Sequence, residues 1–206
     1  MADDKIAGGE IKVDDHPAVL GERIDRNSKV WYNGSIVPFE AKYTYLLLNK
    51  PAGYVCSRRQ QGEYPTVYTL LPEKYRNLKT VGRLDADSSG VILLTNDGTL
   101  AFELTHPKFL KSKEYEAELD RPLEPLHQQM ISDYGLELED GKSKLMLTRL
   151  NDERTRWRVE MSEGRNRQIR RTFAAVGYRV IELERKRFGE FELGDLKPGE
   201  FKEIKK

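Results

Sequence analysis

Apolar positions along this chain change period several times, and each change marks an element. Tyr43–Thr44–Tyr45–Leu46–Leu47–Leu48 is a nearly continuous apolar run stopped by Asn49–Lys50–Pro51. Val91–Ile92–Leu93–Leu94 is a second, closed by the turn residues Asn96–Asp97–Gly98. Short apolar runs bounded by turn residues read as strands buried on both faces. Strict alternation marks half-buried strands instead. Over Ser112–Leu119, Tyr115, Ala117 and Leu119 fall on one face and Glu114, Glu116 and Glu118 on the other. Lys144–Leu150 and Arg154–Met161 alternate as a further pair, and strands near Arg179–Arg187 and Phe201–Ile204 finish the chain. Val30–Trp31–Tyr32 and Ile36–Val37 flank Asn33–Gly34, a strong signal for a tight hairpin.

Helical spacing is rarer. It predicts a turn around Thr66–Leu71, a short helix over Gly98–Thr105 with Leu100, Leu104 and Phe102 inward, and a helix over Leu123–Tyr134 ended by Gly135. A fourth, Arg165–Val176, opens after Gly164 and closes on Gly177 as a left-handed cap. At about 100° per residue, its Ile169, Phe173 and Val176 share the face that packs on a sheet, while Arg167 and Arg171 point away. Arg170 stands on the boundary, where it either snorkels to water or reaches inward to a partly buried carboxylate. Strands predominate without regular βαβ alternation, so the expected class is α+β, with a mostly antiparallel central sheet flanked by helices. Residues 1–41 read as a separate small unit and 42–206 as the main domain.

Composition narrows the picture. The 206 residues are 38% hydrophobic and 33% charged, and no run approaches the roughly 18 apolar residues of a membrane helix. The N-terminus has no signal-peptide character, so a soluble, cytoplasmic protein is expected; a monomer is expected as well. One cysteine, Cys56, excludes an internal disulfide and reads as a small core residue; with three scattered histidines, no metal is expected. Net charge is only +1, but residues 163–187 hold eight bases, seven of them arginine, against three acids. A concentrated arginine patch on a nearly neutral chain is the footprint of a phosphate-rich partner.

Gly82-Arg-Leu-Asp85-Ala-Asp-Ser-Ser-Gly90 places Asp85 in a loop that runs straight into the Val91–Leu94 strand. Loops held by a rigid sheet carry chemistry; alternatively, Asp85 caps its own turn. The stretch from Gly82 to Gly98 closely resembles the active-site motif of the pseudouridine synthases, in the branch that modifies bacterial small- and large-subunit ribosomal RNA. Leu47-Leu-Asn-Lys-Pro51-Ala-Gly53 resembles that branch's opening motif, Lys113-Glu-Tyr115-Glu-Ala its tyrosine motif, and Glu163-Gly-Arg-Asn-Arg-Gln-Ile-Arg-Arg171 through Ala175-Val-Gly177 its third. Gly9–Val13 and the Val30–Gly34 hairpin resemble only the tail end of the S4-type RNA-binding domain that often precedes the catalytic one.

The resemblance implies an isomerase that breaks the uridine N1–C1′ bond, turns the base and rejoins it through C5, with no cofactor. Asp85 would be the ionised carboxylate and nucleophile beside the ribose of a flipped-out nucleotide. Whether it attacks sugar or base, or takes a C2′ proton, stays open. Burial alone would raise its pKa by up to ~3–5 units, and an adjacent arginine lowers it by ~1–3. Arg170 is assigned to that pairing, with Arg165 as the fallback. Tyr115 would stack on the extruded base and is a candidate for removing the C5 proton. Arg83 would fill the vacated gap or hold a phosphate. Lys50, Arg165, Arg167 and Arg171 count as substrate contacts, and Arg185–Arg187 would track the RNA backbone. The expected partner is ribosomal RNA, 23S favoured over 16S, or a ribosome-assembly intermediate. Two other readings compete: a non-catalytic RNA-binding or assembly factor on the same fold, and glycoside hydrolysis, which needs a second carboxylate facing Asp85.

Overall fold

The structure, a computed structural model, describes residues 2–25, 27–38 and 43–205. The chain divides into two compact units, Met1–Lys42 and Tyr43–Lys206; the boundary expected after residue 41 lies outside the described residues. In the first unit a short helix α1 (Ala2–Ala7) precedes strands β1 (Ile11–Val13), β2 (His16–Pro17), β3 (Val30–Tyr32) and β4 (Ser35–Val37). They form one antiparallel sheet in the order β2-β1-β3-β4. Asn33 and Gly34 both take positive φ, 50° and 74°, as a two-residue turn matched to strand twist requires.

The second unit runs β5 (Tyr45–Lys50), β6 (Lys79–Val81), β7 (Ser89–Thr95), α2 (Gly98–Thr105), β8 (Lys113–Leu119), α3 (Pro125–Gln129), β9 (Leu136–Leu138), β10 (Gly141–Ser143), β11 (Met146–Arg149), β12 (Arg156–Met161), α4 (Gln168–Ala175), β13 (Val180–Phe188), β14 (Phe191–Glu192) and β15 (Phe201–Ile204). Nine strands make one mixed sheet along the path β11-β12-β8-β13-β7-β5-β15, with β14 beside β13 and β6 beside β7. Among the described strands of this sheet only the β13–β7 pairing is parallel; the rest are antiparallel, as the patterning predicts.

The periodicities explain most of these elements. Leu46, Leu48, Ile92 and Leu94 pack on one face of the sheet, and Leu47, Val91 and Leu93 on the other. Both central runs are therefore apolar at every position. Tyr115, Ala117 and Leu119 are buried, and they share a core with Trp157, Val159, Ile169 and Phe173. Helix α2 begins where Asp97 accepts a hydrogen bond from the Leu100 amide at 3.0 Å. Phe102, expected inward, is exposed instead; Leu100 and Leu104 alone fill that helix's buried stripe.

Two helices are shorter than their spacing suggests. The segment before Gly135 is a five-residue helix followed by wider turns over Met130–Tyr134. Helix α4 starts at Gln168 because Arg167 adopts a left-handed conformation, φ 48°. The hairpin β9–β10, the two-residue β14 and the edge strand β6 carry too few residues for a periodic signal.

What positions the site is a change of partner along β7. Its C-terminal half pairs with β6, Val81 opposite Leu93 and Lys79 opposite Thr95. Its N-terminal end pairs on that same edge with β13, Ser89 with Glu184 and Gly90 with Arg185. The loop 82–88 leaves the sheet where one neighbour gives way to the other.

Candidate active site

Residues 82–88 are held from below. Gly82 turns the chain at φ 72°, and the Leu84 side chain is buried in the core. The Leu84 amide faces Cys56 Sγ at 3.4 Å. Cys56 is half-buried and touches two core clusters, and burial pushes its thiol up. The Ser88 amide donates to the Asp85 carbonyl at 3.1 Å, and the Gly53 amide to the Ala86 carbonyl at 2.7 Å.

Lys50 completes the support. Its side chain is fully buried, and Nζ donates to the carbonyls of Ser88 at 2.6 Å, Pro51 at 3.0 Å and Ala86 at 3.4 Å. Burial, the largest influence, brings its pKa down to about 8. Lys50 lines no part of the cavity described next; it is a brace under the loop, whereas the sequence reading made it a substrate contact.

Above the loop lies a cavity of about 630 Å³, walled by Arg83, Asp85, Lys113, Tyr115, Arg165, Arg167 and Arg185 among others. That volume lies within the roughly 300–1,000 Å³ of small-ligand sites. The Asp85 side chain is 32% exposed, and its Oδ2 stands 3.7 Å from Arg167 Nη1. Arg167 also grips Asp87 through both terminal nitrogens, at 2.9 and 2.8 Å. Arg170 lies behind them. Its Nη1 donates to the Val180 carbonyl at 2.8 Å, its Nη2 to the Asp87 carbonyl at 2.8 Å, and its Nε is 3.4 Å from Asp87 Oδ2. Hydrogen bonds from Arg167, reinforced by the Arg170 charge, hold the Asp87 carboxyl below its usual range.

The pairing expected between Asp85 and Arg170 is thus not formed. The guanidinium at ion-pair distance from Asp85 belongs to Arg167, and Arg170 takes Asp87. The left-handed turn at Arg167 is the physical reason, because it removes residues 165–167 from the helical register and swings Arg167 over the loop. Arg170 does reach inward from the helix boundary, to a carboxylate two residues further on. Asp87, the nearest carboxylate in sequence, is committed to two arginines and does not face Asp85 as the free partner that glycoside hydrolysis needs.

Arg165 donates to Asp140 Oδ1 at 2.9 Å and to the carbonyls of Gly141 and Lys142 at 2.8 and 2.9 Å. Arg171 clasps the same Asp140 at 3.0 and 2.6 Å. The fallback partner and one expected RNA contact are therefore both tied to the β9–β10 turn. Arg83 lines the cavity with no hydrogen bond or ion pair among the described residues. Tyr115 is buried in the wall. Arg185, expected on the RNA backbone, is instead buried, with Nε donating to the Val91 carbonyl at 2.9 Å. Lys186 pairs with Glu184 and Arg187 with Glu114.

Sequence reasoning missed Lys113 and Arg185 as cavity residues. Lys113 is held to the Glu163 carbonyl at 3.0 Å, and burial, with the Arg185 charge, keeps its pKa below the usual lysine value. A signal for Arg185 existed: it shares strand phase with Leu183, a buried position.

Residues 44–175 match the RNA pseudouridylate synthase family. The ribosomal small subunit pseudouridine synthase A of Yersinia pestis is 42% identical over 163 residues, covering 78% of this chain and 68% of that protein. The ribosomal large subunit pseudouridine synthase B of Bacillus subtilis is 32% identical over 209 residues, 98% of this chain and 85% of that one. A crystal structure of a pseudouridylate synthase superposes with a TM-score of 0.73 at 28% identity, covering 99% of this chain and 89% of the other.

Proposed function

This chain belongs to the RNA pseudouridylate synthase family, and from that premise we propose that it isomerises a uridine of ribosomal RNA to pseudouridine with Asp85 as the reacting carboxylate. The observation that carries the reading is the placing of Asp85. An accessible carboxylate sits on a braced loop at a cavity, 3.7 Å from Arg167. In the reaction the N1–C1′ bond breaks, the base turns, C5 bonds to C1′, the C5 proton is lost and N1 gains one. Asp85 serves at the ribose end, with the Arg167 guanidinium beside it. Tyr115, in the same wall, packs against the extruded base, an interaction worth about 1–3 kcal/mol by stacking. That offsets the few kcal/mol that flipping costs.

Relatives named for the small and for the large subunit both match, so they lend no weight to the large-subunit preference. We read the unit 1–42 as the tail of an S4-type module and the protein as cytoplasmic. Among the described residues no helix is long and apolar enough to cross a membrane.

The test is tritium release from ribosomal RNA and ribosomal particles of each subunit labelled at uridine C5, with Asp85→Ala as control. Release by the wild type alone supports the reading and reports the subunit. RNA binding without release from any substrate would move the function to the non-catalytic factor.

A further inference from the structure

Among the described residues, Arg185 is the least satisfied buried cation. It is 2% exposed, and its Nη2 is buried without a hydrogen-bond partner. The Nε atoms of Arg158, Arg165 and Arg170 also lack a hydrogen bond, but each stands 3.3–3.4 Å from a carboxylate oxygen. Arg185 has no such carboxylate among the described residues. An arginine cannot shed its proton to escape burial, and an orphaned charged donor is costly to keep. Buried groups of this kind call for an explanation in function or missing partners.

Its setting supplies one. Arg185 pairs across the sheet with Tyr115 on β8 and lies beside Gly90 on β7. It shares the cavity wall with Tyr115 and Asp85. The Val91 carbonyl fixes one edge of the guanidinium, and the Phe188 ring centroid lies 4.7 Å from its central carbon. The register with β8 shifts between Arg185 and Arg187, an irregularity that re-aims side chains beside active sites. Lys113 adds a second cation to this wall. Asp85, Lys113 and Arg185 therefore line one cavity, a carboxylate and two cations together.

We propose that the Arg185 guanidinium donates a hydrogen bond to a carbonyl oxygen of the flipped uracil, O2 or O4, and holds the base while it passes from its N1 link to its C5 link. The inference rests on the pseudouridine synthase reading. Breaking the N1–C1′ bond leaves the bonding electron pair on the base, whose charge spreads to its carbonyl oxygens. A fixed cation in a water-poor site stabilises such a developing charge, and a preorganised donor of this sort is worth roughly 100–1,000-fold in rate.

Arg185→Gln is expected to lower kcat at least about 100-fold, with RNA affinity within about threefold and the melting temperature near wild type. The second measurement uses a ribosomal RNA fragment with 2-thiouridine or 4-thiouridine at the mapped position, since sulfur accepts hydrogen bonds poorly. One of the two substitutions should slow the wild type and leave Arg185→Gln no slower than it already is. Arg185→Lys, which keeps the charge, carries the same comparison if the glutamine variant fails to fold. A kcat within threefold of wild type, or equal slowing of wild type and variant by both thio substrates, would overturn the inference. A wild type that releases no tritium from unmodified RNA would instead remove the reading beneath it.

Discussion

Asp87 takes Arg167 and Arg170, two of the four arginines in the motif at 163–171, and Asp85 stays accessible. Arg167 spans both carboxylates, tightly at Asp87 and loosely at Asp85. Asp85→Asn is expected to abolish turnover while RNA affinity and melting temperature stay near wild type, measured by tritium release, filter binding and thermal melts. Loss of the fold in that variant would favour the turn-capping role. Asp87 is held below its ordinary range, so its contribution is fully present above the unfolded carboxyl pKa of about 3.9 and is lost as pH falls through the lower folded value. Asp87→Asn should remove that acid-side dependence from the stability–pH curve. Lys50 has the opposite logic. Its folded pKa of about 8 lies below its ordinary 10.5, so burial of its charge opposes folding most below pH 8. That opposition fades as pH rises towards 10.5. The neutral amine, however, has two donors for three carbonyls. We expect kcat to fall through about pH 8 with no matching fall in melting temperature.

At the scale of elements, the approach of β13 to β7 decides the geometry. A Cβ on Gly90 would lie 2.2 Å from the Arg185 carbonyl oxygen, and Gly90 also has φ 109°. Only glycine fits both demands. Gly90→Ala should destabilise the protein by about 2–6 kcal/mol, the sum of overpacking and backbone strain, read as a lowered urea midpoint. Helix α4 shows how far the sequence carries at this scale. Ile169 and Phe173 are buried and Val176 packs beside them, as the 3.6-residue period requires. Its first turn is absent, because a left-handed Arg167 is stabilised by carboxylates 80 residues away.

Across the molecule, the arginine-rich stretch 163–187 is far less basic in space than in sequence. Asp140 pairs with Arg165 and Arg171, Asp87 meets Arg167 and Arg170, and Glu114 meets Arg187. Exposed pairs of this kind are individually weak, about 0–1 kcal/mol, so RNA phosphates can compete for them. Asp140→Asn should remove the charge that both arginines share, tighten RNA binding and steepen the slope of log affinity against log salt by about 1–2. Equilibrium binding over a salt series checks this, and an unchanged slope would show that neither arginine reaches the RNA.

The strands β5, β7 and β8, the Asn33–Gly34 hairpin, helix α2 and the loop carrying Asp85 were legible because the apolar period and the turn residues that mark each lie within a dozen residues of chain. Periodicity reports which side chains face a core, and turn residues report where the chain reverses. Partner choice is a different kind of quantity. That Arg167 and not Arg170 meets Asp85, that Lys50 lies beneath the loop, and that Arg185 enters the cavity wall depend on strands and loops separated by tens of residues. Electrostatic and hydrogen-bond energies vary steeply over an ångström or two, and those distances exist only after the sheet has closed.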